Sequence, residues 1–220
     1  MSRILAAILT ISLMTESGII FAQSTTQRIH GDVVALDGAS LQIKSLEGES
    51  LTVKLTDDVR LTAVSRADVN AITEGSFVGA TAVPQPDGTL KATEVHIFPE
   101  SMRGTGEGHR PMDSQPGSTM TNATVARISG TPRPSGKTMT NATVAKVAAA
   151  SEVRKLTLQY KGGEQTVIVG TDIPVVMLEP GDRMLLAPGA HVVLFASRQG
   201  DGGLAANRIM IGKNGTVPPM

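Results

Sequence analysis

Between Met102 and Met112 the chain reads MRGTGEGHRPM. Two thioethers and the His109 imidazole on a glycine-rich stretch form a soft donor set, and sulfur with imidazole suits Cu(I). Met102, His109 and Met112 are therefore the candidate metal ligands and copper the candidate cofactor, although Arg103 and Arg110 beside them work against a cation. The other histidines, His30, His96 and His191, stand in strand-like text with no second ligand at usable spacing, so they read as strand residues.

Other chemistries find less. Ser135-Gly136-Lys137-Thr138 ends like a phosphate-binding loop, but Gly130 stands one residue too far upstream. Pro132 and Pro134 occupy the loop, and no strand-to-helix context surrounds it. Gly104, Gly106 and Gly108 lack the βαβ setting of a dinucleotide fingerprint. No Gly-x-Ser-x-Gly elbow occurs, and no histidine is paired in sequence with an acid, so nothing predicts a hydrolytic centre. Asp57 and Asp58 read as solvated turn residues, and Asn122-Ala123-Thr124 and Asn141-Ala142-Thr143 as chance glycosylation patterns within a repeated phrase. The catalytic list is empty, and the chain reads as a non-enzyme.

Composition narrows the partners. Among 220 residues, 20 basic and 20 acidic side chains cancel, with no long block of one sign. With only five aromatic rings, four Phe and one Tyr, base stacking has little to work with, so nucleic acid is not an expected partner. There is no cysteine, which excludes disulfides, zinc–thiolate clusters and lipid attachment at an N-terminal cysteine. Residues 1–22 carry a cationic start at Arg3, an apolar run from Ile4 to Met14 and a small residue, Ala22, before a polar segment. This pattern predicts a Sec-type signal peptide and a periplasmic or secreted protein. Glu16, Ser17 and Gly18 interrupt the run short of a membrane span, so no integral span is expected after cleavage.

The elements that must position any site are strands. Ile29, Gly31, Val33 and Ala35 alternate up to the turn Asp37-Gly38; Leu41 and Ile43 follow, Glu47-Gly48 turns, and Leu51, Val53 and Leu55 return. Val59, Leu61 and Ala63 suggest a fourth strand, Arg66–Ile72 a helical turn, and Phe77–Val83 with Leu90–Phe98 a closing hairpin around Asp87-Gly88. Short strands with exposed edges favour closure, which predicts an all-β fold with a small barrel over residues 24–98; a two-sheet sandwich fits the same periodicity. Residues 99–137 are rich in glycine and proline and read as a flexible linker. Residues 138–213 repeat the strand logic as a second barrel, and 214–220 form a tail.

Two repeats tie the halves together. The phrase TMTNATVA occurs at Thr119 and again at Thr138; the second copy runs directly into the second meander, so it is the predicted first strand there and the first copy a spare. Glu74–Ile97 also aligns without a gap on Pro188–Ile211, placing Gly75 on Gly189, Gly88 on Gly202, Leu90 on Leu204, Ala92 on Ala206 and Ile97 on Ile211. That register predicts an internal duplication. The Gly-Asp-Val-Val start, the aliphatic meander and the final Asp-Gly-x-Leu-x-Ala-x-x-Val hairpin resemble a bacterial family of exported OB-like β-barrels of unknown function. HIFPESMRGTGEGHRPMD and IGKNGTVPPM resemble its two-halved members. The resemblance implies two tandem OB-like antiparallel barrels and brings no catalytic residues. Some relatives carry a metal-transport permease label, which a chain with at most one candidate span contradicts. An OB-like barrel binds on one sheet face, which directs attention to Lys44, Lys54 and Arg60. The reading is an envelope binding or scaffolding module with a protein or small-ligand partner; the alternative is copper handling through the Met/His stretch.

Overall fold

The computed structural model describes residues 26–112, 115–130 and 153–219. The fold is all-β. Strands β1 (Thr26–Asp37), β2 (Ser40–Ser45) and β3 (Ser50–Arg66) form an antiparallel meander. The expected fourth strand is the far end of β3, because Thr56-Asp57-Asp58 contains no glycine or proline to break it. Residues 56–59 bulge opposite Asn207 instead. A hairpin, β4 (Phe77–Pro84) and β5 (Leu90–Ile97), follows, and then β6 (Gly108–Pro111) and β7 (Thr119–Ser129). Strands β8 (Arg154–Tyr160), β9 (Gly163–Val169) and β10 (Val175–Pro180) lead to a second hairpin, β11 (His191–Arg198) with β12 (Leu204–Gly212).

The barrel is not closed by neighbours in sequence. β1 pairs with β11, and β12 runs parallel to β3, so the five-stranded barrel is β1–β2–β3–β12–β11. The hairpin β4–β5 goes the other way: β4 pairs with β7, and β5 meets β9 in a short parallel contact, Leu90 with Val167 and Lys91 with Ile168. This completes a second circuit, β7–β8–β9–β5–β4. Each half of the chain thus lends its last hairpin to the other half. Among the described residues, neither the expected first barrel (24–98) nor the expected second (138–213) closes on its own hairpin.

The apolar faces follow the alternation of the sequence. Val33, Leu41, Ile43, Val53, Leu55, Leu194, Ile209 and Ile211 fill the barrel, and Val78, Val95, Val125, Leu156, Leu158 and Val167 fill the second circuit. Burial of such a side chain is worth about 1.5–3 kcal/mol. The crossovers into the hairpins match as well. Asp68 accepts from Asn70 N and Asp182 from Met184 N, each at 2.7 Å, capping 3-10 turns at Val69–Ala71 and Arg183–Leu185. Gly75 and Gly189 then turn into the strands at φ of 85° and 84°, where a side chain is strained.

The repeated phrase is also corrected. The first copy is not a spare in a linker: Thr119–Ser129 is β7, paired with β4, β6 and β8, and Met120, Thr121, Asn122, Ala123 and Val125 are buried. The 99–137 stretch accordingly contains a 3-10 turn at Glu100–Met102, β6 and β7. The second copy, the Ser135–Thr138 loop and the segment 1–22 lie outside the described residues. Because Val125 occupies the core position, Val125→Asp is expected to lower unfolding stability by about 3 kcal/mol or more. The same charge at Ala126, exposed on the same strand (Ala126→Asp), is expected to cost far less. Urea unfolding of the two variants distinguishes them.

Candidate functional site

Between the barrel and the second circuit lies a cavity of about 1040 Å³, a size fit for a small organic ligand. One wall is the outer face of the barrel. Arg28 on β1 is in register with Phe195 on β11, Phe195 with Arg208 on β12, and Arg208 with Arg60 on β3. Strands stand about 4.8 Å apart, so three guanidinium-bearing residues fall in one row across four adjacent strands. Arg110, on β6, lines the cavity as well, and its Nη1 donates to Gly106 O at 2.7 Å. Among the described residues lining the cavity there is no Asp or Glu.

Like charges side by side on a sheet repel. Arg208 lies over the Phe195 ring, 3.6 Å from its centroid, a cation–π contact that steadies it. It keeps an open face toward the cavity. The surrounding walls nonetheless lower its pKa, first by desolvation and then by repulsion from Arg110, Arg28 and Arg60. The crowding costs stability in the empty state and favours a bound anion.

The facing wall belongs to the second circuit. His96 on β5 is in register with Gly79 on β4, and Gly79 with Asn122 on β7. A Cβ at Gly79 would meet Asn122 Oδ1 at 2.7 Å and the Phe98 ring at 3.1 Å, so the glycine gives both side chains room to lie across the strand. Asn122 Nδ2 donates to Thr105 O at 3.0 Å, while Asn122 Oδ1 and His96 Nε2 are buried and unpartnered. Burial lowers the His96 pKa to about 4 and raises that of Glu94, whose Oε1 accepts from Thr81 at 2.8 Å and stands 3.6 Å from His96 Nε2. His96 is neutral at physiological pH.

The residues singled out from sequence divide. Met102 and Met112 line the cavity, whereas His109 does not: its Nδ1 is 2.8 Å from Thr121 Oγ1, and its ring stacks on Tyr160. His109 and Arg110 are neighbours on β6 and so take opposite sides of it. Arg60 lines the cavity, while Lys44 and Lys54 are exposed elsewhere on the barrel. Two histidines do find acids, contrary to the sequence reading: His96 lies near Glu94, and His191 Nδ1 meets Asp32 Oδ1 at 2.5 Å across β1 and β11. Sequence reasoning missed Arg28, Arg208, His96 and Asn122 as site residues and read Arg110 only as a charge opposing a metal. One signal was present: the hairpin alignment sets Arg208 opposite Glu94, a charge reversal in an otherwise matched pair.

No family model, curated protein or solved structure matches the chain.

The buried histidine sets a pH dependence. Its pKa falls from 6.5 to about 4 on folding, so stability is undiminished above pH 6.5, declines as pH drops through that window, and levels off below it. The full effect is about 3 kcal/mol. The raised Glu94 pKa acts oppositely, because the folded state holds that proton to a higher pH. His96→Gln is expected to lose less melting temperature than wild type between pH 7 and pH 4.5; equal losses would show that His96 is protonated in the folded state.

Proposed function

We propose that this is an exported, non-enzymatic binding protein built from two OB-like barrels related by internal duplication, and that the cavity between them is its ligand site. The ligand is an anion. The observation that carries this reading is Arg208 in register with Arg60, joined in the cavity by Arg110, with no carboxylate among the described lining residues. In a chain of zero net charge, such a cluster is local and placed, and arginine forks suit carboxylate, sulfonate or phosphate oxygens.

The OB-like reading is supported by strand order: in each circuit a three-strand meander is closed by a hairpin, as in a five-stranded Greek-key barrel. The duplication is supported by the matched caps at Asp68 and Asp182 and by Gly88 and Gly202, with φ of 80° and 84°. Export rests on the residues 1–22 pattern. Copper handling loses support, because His109 faces away from Met102 and Met112 and those thioethers share their cavity with four arginines.

The anionic dye anilinonaphthalene sulfonate tests the site. Saturable one-to-one fluorescence enhancement is expected at low salt, weakening with added salt. It should weaken about tenfold or more in Arg60→Gln/Arg208→Gln, the loss of one or two charge-assisted contacts. Lys44→Gln/Lys54→Gln should bind like wild type. Equal binding by all three proteins would overturn the assignment of the cavity.

A further inference from the structure

We infer that the ligand is a single-chain amphiphile: a phosphate-type head on an aliphatic body. The inference rests on the anion-site reading above and names the ligand class.

The head follows from charge. A carboxylate brings one negative charge to the arginines, whereas a phosphate monoester brings about 1.5–2 at neutral pH and three acceptor oxygens. Adjacent strands present Arg208 and Arg60 in register, and guanidinium forks suit phosphate oxygens.

The body follows from the walls. Met102, Met112, Met120 and Met210 line the cavity with Leu178, and methionine adapts to flexible apolar chains. The cavity has aromatic rings, but they are engaged: Arg208 covers Phe195, and Phe98 packs edge-on against Phe77 at 5.3 Å. With those contacts in place, stacking on a nucleobase is disfavoured and an aliphatic chain favoured. A volume of about 1040 Å³ also far exceeds what a bare phosphate fills.

Calorimetric titration of the full chain with decyl phosphate, held below its micelle concentration, tests this. Saturable one-to-one binding is expected, about tenfold tighter than decanoate and about a hundredfold tighter than inorganic phosphate or decanol. Arg60→Gln/Arg208→Gln should lose at least about tenfold in affinity while its melting temperature holds, since the change removes repulsion and the opposing cation–π contact together. Met112→Gln should weaken decyl phosphate but not inorganic phosphate. Transfer of lysophosphatidate out of vesicles would identify a membrane lipid as the source; binding confined to free alkyl phosphate would identify a soluble one, and either supports the class. Decyl phosphate binding no better than inorganic phosphate or decanol overturns the inference. If the dye still binds in an arginine-dependent way, the anion site stands and only the amphiphile falls; if neither binds, both fall.

Discussion

Strand β10 is the element on which the arrangement depends. It pairs antiparallel with β3 through Val176–Pro180 and parallel with β5 through Val175–Met177, so one short strand carries both circuits. Around it Val64, Val176, Leu178, Val193, Phe195 and Met210 form a separate apolar cluster with Phe98 packed against it. This joint draws on the barrel, on β10 and on the edge of the second circuit. It also supplies part of the cavity's lining, because Leu178, Phe195, Met210 and Phe98 belong to both. The joint and the site are one structure.

The exchanged hairpins give that joint its charge. β12 brings Arg208 to lie beside Arg60 of β3, which is far away in sequence, and β11 brings Phe195 between Arg28 and Arg208. Arg208 and Arg60 are like charges directly opposite one another, which is destabilising, and the cation–π contact, about 0.5–1 kcal/mol at a partly exposed site, acts against that cost.

Much of the fold was legible in the sequence. Alternation at Leu41, Ile43, Val53 and Leu55 marks the buried face, and the turns at Gly38, Gly48 and Gly88 mark the hairpins. What alternation cannot carry is the partner. The two closing hairpins are alike in turn and core positions, so either satisfies the same apolar face, and sequence alone does not say which half each one closes. The misassigned repeat has the same cause: Thr119–Ala126 and Thr138–Ala145 are identical, so no local preference chooses between them. The site was less legible still. Arg28, Arg60 and Arg208 become neighbours only through cross-strand register, and Arg60 alone was singled out beforehand. Met102 and Met112 were singled out with His109 as copper ligands; the two thioethers line the cavity and His109 does not, and the chemistry of that space is set by strands remote from them.

The halves exchange their closing hairpins and so hold the cavity between them. Cross-strand nuclear Overhauser contacts in solution test this exchange most directly. The exchanged arrangement places Ile209 beside Leu61 and Ile211 beside Ala63, so backbone contacts between those pairs are expected. Contacts from Val95 and Ile97 to the same stretch of β3, with none from β12, would show that each half closes on itself and would contradict the account.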